Sequence, residues 1–203
     1  MAEGKGTIDI DKTAEVHPSV ILEGRINIGA FTTVGAGTVI VGNVKIGHHC
    51  NIACNVVIRG NNTIGNWVHI YDQVLIEGGR PGNYTGGVTC MEADRSIIGD
   101  RCWINHGATM HGSQLGDDTV LDLNACLDYN CRIGKGSIVT NGSAVPFDTV
   151  IPDNCIVEGV PARIIRENVT DEDRRARMGL LPADWVRYSG EQTEKRIRKK
   201  LVM

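Results

Sequence analysis

The chain has 203 residues, a formal net charge of −3, 25 glycines and only 4% aromatic residues. That length suits one domain of ordinary size. The charge balance argues against a general nucleic-acid binder, and the absence of a run of about 18 apolar residues argues against a membrane-spanning helix.

The first residues, MAEGKGTIDIDK, carry acids and no apolar stretch, so no secretory signal is expected; the seven cysteines then read as reduced thiols of a cytoplasmic protein. From Ile10 an aliphatic side chain returns at every sixth position: Val16, Leu22, Ile28, Val34 and so on through Ile64, Ile70 and Ile76. The beat resumes at Ile98, Ile104 and Met110, slips by one residue, and continues from Leu115 to Val157. Four positions after most of these aliphatics stands a small or slim residue, among them Thr32, Thr38, Cys50, Cys102, Ala108, Cys131 and Cys155. A period of six fits neither a helix nor simple alternation. It fits three short strands per turn, each turning one long and one small side chain inward, which is a hexapeptide parallel β-helix. The narrow cross-section accounts for the scarcity of rings and for cysteine in the small slots. Residues 10–157 give about seven coils, a prism on the order of 34 Å tall. The coil domain is placed at 1–166 and a helical segment at 167–203.

The beat is interrupted at 78–96, GGRPGNYTGGVTCMEADRS, which lengthens one coil by about 16 residues. Its place directly after Glu77 predicts a lid or pocket wall, with Arg80 and Tyr84 suited to an anionic substrate.

The stretch WINHGATMHG holds His106 and His111, five residues apart, a spacing that puts both imidazoles on one face of neither a helix nor a strand. Counting each coil from Ile46, Ile64, Ile98 and Leu115 resolves the puzzle. One column contains Arg59, Glu77, His111 and Asp128; another contains Cys54, Asp72, His106 and Leu123. Glu77 and His111 are then vertical neighbours about 4.8 Å apart at the backbone, close enough to share an ion with bonds of about 2 Å. His106 would meet them only from a neighbouring subunit, in a homotrimer carrying three sites. His69 is open to three readings: a substitute ligand, an acid–base group, or a surface residue covered by Trp103. Trp67 and Trp103 read as lateral contacts or subunit-interface residues in preference to substrate-stacking ones, and His17, His48 and His49 as solvent-exposed.

In the tail, NVTDEDRRARMG predicts a helix capped by Thr170 with Asp173 closing the cap. LPADWVRYSG reads as a connector or a short helical turn, SGEQTEKRIRKKL as a second helix, and the basic run Lys195–Lys200 as a solvated face.

The stretches CNVVIRGN, IGNWVHIYDQVLIE, IGDRCWINHGATMHG and IPDNCIVEGVPARIIR closely resemble γ-class carbonic anhydrases and their relatives over residues 10–167. The resemblance implies an all-β left-handed parallel β-helix with C-terminal α-helices. It also implies zinc or iron held at trimer interfaces by three histidines, two from one subunit and one from its neighbour. His106 and His111 match two of these, and Glu77 stands at the third. The family glutamine that orients bound hydroxide falls at Tyr71, the asparagine two before it at His69, and the aspartate partner of the arginine at Asn61. Arg59 and Asp72 are retained, a pair that ties subunits together in relatives. The acidic loop of such relatives carries a proton-shuttling glutamate, a role open here to Glu92 or Asp94.

One divalent ion per interface is therefore expected, Zn2+ or Fe2+ first and Co2+ or Mn2+ also compatible, held by Glu77, His106 and His111. His69, Tyr71 and Glu92 are the proton-handling candidates; Arg80, Tyr84 and Asn61 are the substrate-binding ones. The carboxylate adds a negative charge that weakens the ion as a Lewis acid. The altered surroundings point to an enzyme that activates water or polarises a small substrate for hydrolysis, hydration or dehydration, with a substrate other than CO2 favoured and CO2 hydration an alternative. Two other classes fit the same coil: an acyl-CoA acyltransferase with His106 as base or a thioesterase, and a catalytically silent structural homologue. No nucleic acid or membrane partner is expected.

Overall fold

A computed structural model describes residues 6–79 and 95–202. Arg80, Tyr84, Cys90, Glu92 and Asp94 lie outside the described residues.

The fold is a left-handed parallel β-helix followed by two C-terminal helices. The six-residue beat works as read. Ile40, Ile58, Ile70, Ile76, Ile104, Met110, Leu121 and Leu127 are fully buried, and Cys50, Cys102, Cys131 and Cys155 fill small inward slots. Burial pushes the Cys50 and Cys102 thiols up to about 12, so they stay protonated and inert. Thr32 and Thr38 occupy the same slots by donating their hydroxyls to the carbonyls of Gly47 and Ala53 on the next coil.

Side chains stack in register from coil to coil. One inward column runs Val16, Val34, Ile52, Ile70, Ile104, Leu121, Val139, Val157. This gives about eight turns, not about seven. Dividing the sequence by the repeat counts the rises between rungs, which are one fewer than the rungs. Pairing of Ile70 with Ile104 carries the ladder straight past the inserted segment.

Two further features position the site. Gly24, Gly42 and Gly60 form a column with φ of 102°, 122° and 86°, in which any Cβ would fall within 2.4 Å of the next glycine's carbonyl oxygen. Only glycine fits there, and the three coils pass this corner as continuous strands, Ile21–Ile28, Val39–Ile46 and Val57–Ile64. Gly78 is next in the column, immediately after Glu77. The one-residue slip falls at Gly112–Ser113, immediately after His111; Ser113 fills the small slot and its hydroxyl bonds the His111 and Asp128 carbonyls.

Helix α1, Asp171–Met178, has the expected capping box between Thr170 and Asp173. The rest of the tail differs from expectation: Pro182–Leu201 is one helix, α2, not a connector followed by a helix. Pro182 is favourable in its first turn, and Gly190 lets the helix pass directly over Trp67. A Cβ on Gly190 would meet Trp67 Cε3 at 2.8 Å and the His49 carbonyl at 3.0 Å. Gly190→Ala should therefore loosen α2. The gain in helix propensity is about 1 kcal/mol, against about 1–3 kcal/mol for overpacking. Faster hydrogen exchange across α2 is the expected result; slower exchange would show that Trp67 yields freely.

α2 runs back along the prism, bonded to it through Ser189 on Asn51, Glu194 on His49, and Arg196 and Lys200 on Glu15. Two expectations are corrected. His49 is not solvent-exposed: its ring stacks on Trp67 at 4.0 Å and its Nε2 lies 2.9 Å from Glu194. The run Lys195–Lys200 is not wholly a solvated face, because Arg196 and Lys200 clasp Glu15 and Arg198 lies over Phe31.

Hydrogen bonds from His49 and Arg198 hold the Glu194 carboxyl below its ordinary range. Burial pushes Glu15 up, but the hydrogen bonds from Lys200 and Arg196 outweigh it and the net shift is down. Carboxyls with lowered folded values give their full stabilisation above the unfolded value of 4.5 and lose it as pH falls through the folded value. α2 is thus expected to come off the coils in acid, below about pH 4.5, before the solenoid unfolds. Exchange protection of α2 against that of the coil strands, compared at neutral and acid pH, measures this; simultaneous loss would refute it.

Candidate functional site

The column containing Glu77 forms as read: Glu77 pairs in register with Arg59 on one coil and with His111 on the next. The Glu77 backbone is fixed from two sides, its carbonyl accepting from Gly112 N at 2.7 Å and Ser96 Oγ at 3.0 Å. Its side chain is buried, with Oε1 3.2 Å from Arg59 Nη2 and Oε2 3.1 Å from His111 Nδ1. An ionised carboxylate only accepts, so His111 Nδ1 carries the hydrogen and donates it to Glu77, leaving the Nε2 lone pair free. The Tyr129 ring flanks His111 at 5.2 Å.

His106 lies in the separate column with Asp72. Asp72 Oδ1 accepts from Cys54 N at 2.8 Å, and Oδ2 is 3.4 Å from His106 Nδ1. Both side chains of that pair are nearly half exposed, so their attraction is worth about 1 kcal/mol or less and leaves His106 free to turn to another partner. Within the chain Arg59 meets Glu77 and Asp72 meets His106; Asn61 is exposed on the coil before Glu77.

Beside His106 the rings form a layer. Tyr71 stacks on His69 at 4.3 Å and 7°, lies 4.7 Å from His106 and 5.9 Å from Trp103. Trp103 pairs in register with His69, as the column count implied. Burial, helped by His106, lowers the His69 pKa to about 4, so His69 is neutral at pH 7 and poorly matched to carrying protons there. Burial raises the Tyr71 phenol, against the hydrogen bond from Trp185, so Tyr71 keeps its proton. His69 Nδ1 and Trp103 Nε1 are buried without hydrogen-bond partners among the described residues. Each such group costs about 1–3 kcal/mol, so ring packing, not hydrogen bonding, holds this layer. Trp185 of α2, whose Nε1 donates to Tyr71 Oη at 3.2 Å, is not legible in the sequence as a site residue, because the spacing does not say where a tail segment docks on the coils.

Among the described residues no cluster of three or more His, Cys, Asp or Glu side chains is placed to hold a metal within one chain. The donor chemistry of Glu77 and His111 nevertheless suits zinc or iron: a carboxylate with unused lone pairs beside a free imidazole nitrogen. As they stand, the two are bonded to each other through Nδ1, so sharing one ion would require the His111 ring or the Glu77 carboxyl to turn.

No family model matches the chain. It is 34% identical over 86 residues to a probable carbonic anhydrase of Methanocaldococcus jannaschii, covering 42% of this chain and 54% of that protein. It is 36% identical over 78 residues to the mitochondrial gamma carbonic anhydrase 1 of Arabidopsis thaliana, covering 38% and 28%. The chain thus spans about half the length of the first relative and under a third of the second. A putative acetyltransferase from Bacillus cereus superposes with a TM-score of 0.65 at 20% identity, covering 96% of this chain and 99% of that one, a likeness of fold alone. These likenesses define a hexapeptide-repeat protein. Within that class, its sequence likeness over part of its length is to γ-class carbonic anhydrases.

Proposed function

We propose that the chain is a metal-dependent enzyme whose sites lie between subunits of a homotrimer, acting on a small substrate by hydration, dehydration or hydrolysis. The observation that carries this is the in-register pairing of buried Glu77 with His111; His106, exposed in a different column, is the third ligand in this reading. Apolar Leu123, one coil on from His106, is 42% exposed, and Phe147, one coil on from Tyr129, is 63% exposed. These flanks are of the kind a neighbouring subunit covers.

In this reading Glu77 and His111 of one subunit and His106 of the next hold one Zn2+ or Fe2+. When bound, the ion supplies Lewis acidity, activating water or polarising a carbonyl. Arg59 offsets part of the charge that Glu77 adds, Asp72 steadies His106, and the Tyr71 phenol offers a proton. CO2 is one substrate to test, beside small esters and amides and hydroxy acids. The site would operate in a cytoplasmic protein; among the described residues no helix is long and apolar enough to cross a membrane. Elemental mass spectrometry of protein purified without a metal-affinity tag, sized as a trimer, tests the proposal. Near one ion per chain is expected; no metal after reconstitution with zinc or anaerobic iron would overturn it.

One observation favours a second reading. A buried carboxylate bonded to His111 Nδ1, with Nε2 left free, is also the arrangement of a metal-free general base. Acyl transfer would then use His111, held by Glu77, in place of His106, whose partner Asp72 is nearly half exposed. Chelation separates the two, since it abolishes the first activity and leaves the second.

A further inference from the structure

Helix α2 reaches the candidate site through Trp185. Trp185, in its first turns, donates its indole Nε1–H to Tyr71 Oη at 3.2 Å. An indole nitrogen is a donor only, whereas a phenol both accepts and donates. Tyr71 is the accepting partner in this bond, so its own hydrogen must point elsewhere. The Tyr71 ring has little freedom, since His69 lies flat against it, His106 is tilted against it and Trp103 adds to the stack. The one torsion left open is rotation of the hydroxyl, and the bond from Trp185 limits it. A phenol carries its proton at neutral pH. The result is a hydrogen-bond donor of set direction next to the imidazole that is offered to the neighbouring subunit.

We infer that Trp185 is a positioning residue: through its bond to Tyr71 it makes that hydroxyl a fixed donor beside His106, aimed at the oxygen of a small carboxylate, or of a carbonyl acquiring negative charge, bound at the interface. The inference rests on the proposed interface metal site and adds to it a ligand class and a role for the C-terminal helix. A glutamine amide can take up either hydrogen-bonding role by rotation, whereas this pair offers the ligand a donor alone. Anions without a proton to share are therefore favoured over neutral donors.

The test uses trimers loaded with Co2+ and titrated with formate, followed by the visible absorbance of the cobalt. A hydrogen bond to a charged oxygen sets the expected loss for Tyr71→Phe at about tenfold in formate affinity, with cobalt content and trimer unchanged. Trp185→Phe should weaken formate about threefold, a smaller loss because the donor survives and only its direction is freed. In the Tyr71→Phe background, Trp185→Phe should have no further effect, because it acts only through that hydroxyl. Tyr188→Phe, on the same helix beside Trp185, controls for disturbance of α2 and should leave formate binding as it is. Cobalt bound at one per chain with formate affinity unchanged in Tyr71→Phe or Trp185→Phe would overturn this inference and spare the metal site. Additive losses in the double variant would also overturn it, showing Trp185 to act by another route. Failure to take up cobalt at all would overturn both.

Discussion

Glu77→Ala is expected to empty the site, reducing bound metal from near one ion per chain to a trace while leaving the trimer intact. Glu77 is the buried member of its column and the one residue bonded to both Arg59 and His111. Its removal deletes a ligand and frees the His111 ring. Losing a partner outside the ligand shell typically costs 10- to 100-fold in affinity, on the order of 1–3 kcal/mol, and losing a ligand should cost more. The fold should tolerate the change. Arg59 is half exposed and can return to water, and Gly112 and Ser96 bond the Glu77 backbone, not its side chain. A stability loss of about 1–3 kcal/mol is expected from the unpaired His111. Glu77→His is the informative companion: it offers three neutral imidazoles, should recover metal, and should make the ion a stronger Lewis acid by removing the negative charge. Full metal content in Glu77→Ala would mean that the carboxylate only orients His111, and would favour the general-base reading.

The coil was legible because its cause is local and repeated. Each aliphatic at a sixth position must turn inward, so Ile70 and Ile104 find each other whatever is inserted between them. The same count placed Glu77 over His111 and Asp72 beside His106, since a column is arithmetic once the repeat is known. What escaped were features that obey no period. The column Gly24, Gly42, Gly60 follows a backbone requirement, close carbonyl approach with positive φ, that an aliphatic count does not detect. The path of α2 was hidden because what Gly190 packs on, the Trp67 ring, is more than a hundred residues away in sequence. His49 was assigned to solvent for the same reason: its partner Glu194 belongs to that helix. Trp185 and Tyr71 likewise come together only once α2 is laid along the prism. Sequence spacing thus reached the ligand column and stopped short of the surroundings that tune it.

Sharing of each site between subunits makes the most demanding prediction. His106→Ala and Glu77→Ala should each abolish metal uptake in homotrimers, yet trimers assembled from both variants together should regain it. In the proposed ring of three, every site would join Glu77 and His111 of one subunit to His106 of the next. A mixed ring has one boundary at which an intact Glu77 faces an intact His106, whichever variant is in the majority, and so recovers one complete site. A boundary between two copies of the same variant always lacks one ligand, and the remaining mixed boundary lacks both. Co-expression with two different tags, tandem purification of the mixed trimers, and metal analysis would read the recovered site directly. The geometry of a single chain leads to this expectation, because Glu77 and His111 pair in register while His106 stands in another column beside Asp72. A metal-free mixed trimer, alongside metal-bearing wild type, would mean that all three ligands come from one subunit after rearrangement, and that the interface only supports the site.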